Sequence, residues 1–102
     1  MTSILPEHRA RRVAELHLRG PLGPLPVRIL WPAATDPPPP IAVLGHATGP
    51  LADSLCGDAG MLVVWAGEVR TPEQLAVCVE WVADRGAELG GDPARLLVAV
   101  IG

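Results

Sequence analysis

Hydrophobic and polar positions change their spacing several times along this chain, and each change marks a new element. From Val13 to Leu18 apolar residues alternate with polar or small ones, the two-residue period of a half-buried strand. Gly20-Pro21-Leu22-Gly23-Pro24 breaks that run, and Val27-Arg28-Ile29-Leu30-Trp31 resumes an extended, β-rich pattern beyond it. These two segments are expected to pair antiparallel at a sheet edge, with Arg28 facing water. Ile41-Ala42-Val43-Leu44, closed by Gly45, and Met61-Leu62-Val63-Val64-Trp65 are short continuous apolar runs, which suit strands buried on both faces of a parallel sheet. Leu96 to Ile101 has the same composition and reads as a central strand.

Helical spacing occurs in two places. Leu51 to Ala59 allows a brief helix limited by Gly57 and Gly60. Thr71-Pro72-Glu73-Gln74 is a clearer start. Thr caps, Pro takes the first helical position, Glu complements the dipole and Gln three residues on completes a capping box. Leu75, Val79, Val82 and Leu89 then share a stripe with Cys78 and Gly86 beside it, while Glu73, Glu80, Asp84 and Glu88 lie opposite. Gly90-Gly91 is expected to end this helix by admitting positive φ. The order β, β, β, short α, β, α, β implies an α/β sheet with an antiparallel edge and a parallel interior. Ligands of such sheets bind beyond the carboxyl ends of the strands, here after Leu44, Trp65 and Ile101.

Composition narrows the function classes. The chain has 102 residues, which sustains one domain over 1–102, with 1–12 as a loosely ordered or helical lead. Eight basic residues against 11 acidic ones leave a net charge of −3, without the basic footprint of a nucleic-acid binder. There is no Phe or Tyr, so the aromatic core rests on Trp31, Trp65 and Trp81. Cys56 and Cys78 fit neither a metal knuckle nor a redox pair and are expected to be reduced, buried thiols. No apolar block follows the charged residues before Arg12, and no window nears the roughly 20 apolar residues of a membrane span. A soluble, cytoplasmic chain with no membrane span is the expectation. Pro37 to Pro40 reads as a stiff surface connection, with docking to an SH3-like partner as the alternative.

Several of these residues carry a family resemblance. Gly20 to Pro32 resembles the early strand pair of hormone-sensitive-lipase-like α/β-hydrolases and the proline-containing lead into their oxyanion strand. The segment from Glu80 to Leu96, ending Gly90-Gly91-Asp92-Pro93-Ala94-Arg95-Leu96, is similar to that family's helix and its G-x-D-P-x-R-L turn before the nucleophile strand. Val69 or Arg70 with Thr71-Pro72-Glu73 looks like a worn Y-R-L-A-P-E segment, although the stretch from there to Trp81-Val82 is shorter than the family's. The resemblance implies a partial α/β-hydrolase sheet, with an antiparallel edge hairpin, parallel interior strands and one long helix. It also implies carboxylic-ester hydrolysis without cofactor or metal.

Position by position, the catalytic parts of that family do not carry over. Its oxyanion motif, H-G-G-G, falls on His46-Ala47-Thr48-Gly49, where His46 and Gly49 match. If that loop needs positive φ at Ala47 or Thr48, their side chains oppose it. The G-D-S positions of the nucleophile elbow fall on Val100, Ile101 and Gly102, which leaves the serine position vacant at Gly102. No catalytic residue is assigned. His46 is open to two readings, an oxyanion-loop remnant or a plain loop histidine. Ser54 lacks a G-x-S-x-G frame, and Cys56 could pair with His46 only if the loop folded back. His8 and His17 have no partner at metal-ligand spacing, Gly45 to Gly49 lacks a nucleotide-binding fingerprint, and Asp92 with Arg95 reads as a structural turn.

The expected function is that of a truncated, inactive hydrolase-like chain, a pseudoenzyme. It would associate through an exposed sheet edge, as a homo-oligomer or with a complementing hydrolase chain. The alternative is a split esterase or lipase, active only when another chain supplies Ser, Asp and His.

Overall fold

The computed structural model describes residues 12–33, 37–46 and 49–100. Its elements run β1 (Arg12–Gly20), β2 (Gly23–Trp31), β3 (Pro40–Gly45), α1 (Gly49–Gly57), β4 (Leu62–Ala66), α2 (Pro72–Arg85) and β5 (Asp92–Val100). The strands form one sheet in the order β1-β2-β4-β3-β5. β1 pairs antiparallel with β2 and β2 antiparallel with β4, whereas β3 runs parallel to both β4 and β5. The antiparallel edge and parallel interior expected from the sequence are both present.

Alternation along β3 and β4 explains why the sheet needs a layer on each side. Ile41 and Val43 of β3, with Leu62 and Val64 of β4, join Ile29, Trp31, Cys78 and Val82 in the larger core under α2. Ala42, Leu44 and Val63 point the other way and meet Ala52 and Cys56 of α1. All four residues from Ile41 to Leu44 are fully buried. A central strand with no polar position would expose oil on whichever face lacked a helix, so the continuous apolar run dictates the three layers. Trp31 is buried and donates its Nε1–H to the Leu89 carbonyl at 2.7 Å, which satisfies its one polar atom. Trp81 and Trp65 are only partly buried, so the aromatic share of the core falls mainly on Trp31.

Where α2 ends departs from the simple expectation. Regular α-helix stops at Arg85, and Gly86 is buried so tightly that an added Cβ would lie 2.6 Å from the Val82 carbonyl oxygen and 2.7 Å from Ile41 Cδ1. The chain stays coiled for one more turn. Gly90 N–H bonds to the Ala87 carbonyl and Gly91 N–H to that of Gly86, both at 3.1 Å, with Gly90 at φ +95°. That is a Schellman closure, so the Gly90-Gly91 signal marked the end of the coil rather than of the regular helix.

One further expectation is corrected. β5 has the composition of a central strand, yet among the described residues it pairs only with β3 and lies at the sheet edge, with Leu97, Val98 and Val100 exposed. The proline tract leads into β3 with Pro37 and Pro38 exposed, as expected of a surface connection, and it is also tied into the fold. Pro39 is buried, Pro40 opens β3, the Pro39 carbonyl accepts from Asp92 N–H, and the Pro38 carbonyl accepts from the Arg95 guanidinium. Among the described residues no helix is long and apolar enough to cross a membrane.

Candidate site at the carboxyl ends of the parallel strands

β3, β4 and β5 all deliver their carboxyl ends to the same side of the molecule, at Gly45, Ala66 and Val100. A cleft of about 230 Å³ opens there, lined by His46, Val69, Arg70, Thr71, Pro72, Leu75 and Val100. Its position is the one expected for a parallel sheet, because successive strands feed their following loops to one end.

His46 is the first residue beyond β3 and sits at φ +61°, the left-handed region that opposes a side chain. It is exposed at the cleft mouth. Of its neighbours in the sequence-derived oxyanion set, Gly49 is the first residue of α1, and Ala47 and Thr48 lie outside the described residues. Gly102, where the sequence resemblance puts a vacant serine position, also lies outside them.

The opposite wall is the start of α2. Thr71 Oγ1 accepts from Gln74 N–H at 3.2 Å, and Gln74 Oε1 accepts from the N–H groups of Thr71 at 3.2 Å and Arg70 at 2.6 Å. The capping box read from the sequence is therefore built in full, with an additional bond to Arg70. Gln74 is buried, and its carbonyl occupies two backbone donors that otherwise have no helical partner. Thr71 is the one hydroxyl among the described residues lining this cleft, and its oxygen is engaged as a cap. Among the described residues, no carboxylate lines the cleft with His46 to orient it as a base. What the walls present is apolar: Val69, Pro72, Leu75 and Val100 suit an aliphatic group.

The remaining candidate nucleophiles lie elsewhere. Ser54 is on α1 and donates to Asp58 Oδ2 at 2.9 Å. Cys56 is buried against Ala42, Leu44 and Val63, where desolvation, reinforced by Asp53, pushes its thiol up to about 11. Cys78 is buried in the core under α2 and is likewise pushed up to about 11 by desolvation. Both are free thiols, as expected. A protonated, enclosed thiol is a poor attacking group, which disposes of the Cys56–His46 pairing. Asp92 accepts from Arg95 Nε at 2.9 Å and from Ala94 N–H at 3.0 Å, so the pair is a structural turn.

A second cleft, of about 300 Å³, was not foreseen. It lies where β1, β2 and the residues after β4 meet, and Glu15, His17, Arg28, Trp65 and Glu68 are among its lining. Arg28 is the cross-strand partner of both Glu15 and Trp65; it is ion-paired with the former and lies 5.6 Å from the ring centroid of the latter. The alternation places Glu15 and His17 on one face. Only the pairing of β2 with β4, which no local pattern encodes, brings Trp65 beside them.

No family model and no curated protein matches the chain. Solved structures do. A hyperthermophilic esterase from the archaeon Pyrobaculum calidifontis is 26% identical with a TM-score of 0.71, over 89% of this chain and 34% of that one. A thermostable carboxylesterase cloned from a metagenomic library is 25% identical with a TM-score of 0.70, over 89% of this chain and 37% of that one. Carboxyl esterase 2 of the mycorrhizal fungus Tuber melanosporum, 22% identical with a TM-score of 0.72, shares the fold over 87% of this chain and 35% of its own. The chain thus spans about a third of the length of the esterases it matches. Its sheet and two helices are part of the α/β-hydrolase fold of hormone-sensitive-lipase-like esterases, as the Asp92-Pro93-Ala94-Arg95-Leu96 turn implied.

Proposed function

We propose that this chain is a scaffold portion of an esterase-like hydrolase, a single domain over 1–102 that has no hydrolytic activity alone and works by association through its apolar sheet edge. One observation carries the reading. The cleft at the strand ends holds a histidine and a helix-capping threonine, with no free hydroxyl or thiol and no orienting carboxylate among its described walls. Acyl transfer needs all three parts in register, so this cleft can seat an acyl group but not attack it. His46, Ala47, Thr48 and Gly49 are read as the remnant of an oxyanion loop, and Gly102 as the position where a serine is absent. We place the chain in the cytoplasm and assign it no cofactor.

The second reading is a split carboxylic-ester hydrolase, favoured by the coverage of only about a third of the matched esterases. Here another chain would bring Ser, Asp and His to the same cleft. A p-nitrophenyl butyrate assay on the purified chain tests both readings. Hydrolysis is expected at the buffer rate. Turnover that co-purifies with the chain and falls in His46→Ala would refute inertness, and turnover only after co-expression with a serine-bearing hydrolase chain would establish the split enzyme.

A further inference from the structure

Three aliphatic side chains close around Gly45, the last residue of β3. A Cβ built there would lie 3.5 Å from Val100 Cγ2, 3.7 Å from Leu75 Cδ1 and 3.8 Å from Val69 Cβ. These are ordinary contact distances, so the three border one point in the strand-end cleft that all of them line. Val100 is held by β5 and Leu75 by α2. Val69 has no such element. It lies in the loop that joins β4 to α2, yet it is buried.

A buried loop keeps one position only when its backbone donors are satisfied, and those of this loop can be followed one by one. Val69 N–H bonds to the Ala66 carbonyl at 3.3 Å. The next two, from Arg70 and Thr71, both go to a single atom, Gln74 Oε1, at 2.6 Å and 3.2 Å. A capping box needs only the Thr71 bond and its return from Gln74 N–H to Thr71 Oγ1. The bond from Arg70 is additional, and it reaches upstream of the cap to the residue that follows Val69. Gln74 is also the one polar side chain buried among the described residues, and a buried amide costs free energy unless it is bonded. We propose that Gln74 is a positioning residue for the cleft: its carbonyl braces the Val69–Thr71 wall against α2 and so sets the width of the aliphatic seat beside Gly45. This rests on the reading that the cleft can seat an acyl group, and it names the residue that shapes the seat. Donors and acceptor of the brace all lie within the described residues and are satisfied by one another, so the brace holds whatever lies across the cleft mouth.

Amide hydrogen exchange and methyl NOE spectra of the full chain and of Gln74→Leu, Gln74→Glu and Thr71→Ala test this, with the Val64 amide of β4 as internal standard. The unmodified chain is expected to protect the Arg70 amide and to show cross-peaks from the Val69 methyls to those of Leu75 and Val100. Gln74→Leu removes the acceptor, and is expected to lower Arg70 protection relative to Val64 at least about tenfold and to lose the Val69 cross-peaks. Gln74→Glu keeps an oxygen acceptor at the same reach and is expected to restore both. Thr71→Ala takes away the acceptor of the cap and leaves the brace, so both signals are expected to survive. Gln74→Asn, shorter by one methylene, is expected to match Gln74→Leu and replaces it in the comparison if that variant does not fold. Val69 cross-peaks that persist without the Gln74 carbonyl, a Gln74→Glu chain that fails to restore them, or an equal loss in Thr71→Ala would overturn the proposal. Turnover of p-nitrophenyl butyrate is read separately on the same samples, so an active chain would sink the inert-scaffold reading and leave the brace, whereas an unmoved wall would do the reverse.

Discussion

Cys56 and Cys78 are both buried, but on opposite sides of the same sheet, Cys56 under α1 and Cys78 under α2. The sheet between them forbids a disulfide, and burial holds both thiols at about 11 against an ordinary value of 9.0. Iodoacetamide at neutral pH is therefore expected to leave the folded chain unlabelled, whereas the urea-unfolded chain takes up label at both sites. The same shifts set an alkaline limit. Thiols with a raised native pKa hold their stabilising difference below 9.0 and lose it as the pH climbs towards 11, so the urea midpoint is expected to fall over that window. Asp92 works in the opposite sense. Its carboxyl is held below the usual 3.8 by Arg95 first and the Ala94 N–H second, so its contribution is complete above 3.8 and vanishes as acid protonates it. Thermal melts of Asp92→Asn should lose that part of the acid dependence; unchanged melts between mild and strong acid would contradict the assignment. Buried thiols and an Asx turn were legible from residue type alone. The Arg28–Trp65 contact was not, because it depends on which strands neighbour each other.

α2 illustrates what an element reveals before it is seen folded. Its start is spelled out locally by Thr71-Pro72-Glu73-Gln74, since capping uses only the backbone within one turn, and every bond of the box is present. Its regular end is not spelled out, because Gly86 is demanded by Ile41, a residue 45 positions earlier that packs against it. Gly86→Ala is expected to destabilise the fold by about 1–3 kcal/mol through overpacking against the Val82 carbonyl and Ile41, measured by urea denaturation. Thr71→Ala, which removes a single cap acceptor, is expected to cost about 0.5–2 kcal/mol in the same experiment. β5 marks the limit of pattern reading in a different way. Its apolar run says that both faces want covering, but no sequence pattern says whether neighbours are there to cover them. Strand order carries that information, and strand order comes from long-range pairing.

On the scale of the whole molecule, the sheet serves two ends differently. The carboxyl ends of β3, β4 and β5 converge on a cleft with largely apolar walls, and among the described residues β5 pairs with β3 alone. Among the described residues the candidate nucleophiles cap a helix, are bonded on α1 or are buried, which supports the proposed reading of a chain inert on its own. Intact-mass spectrometry after exposure to an excess of a fluorophosphonate, which tags activated serine hydroxyls, weighs this account in one step. The chain is expected to keep its unmodified mass at the longest incubation. A single adduct formed stoichiometrically would show an activated hydroxyl in the chain and contradict the account.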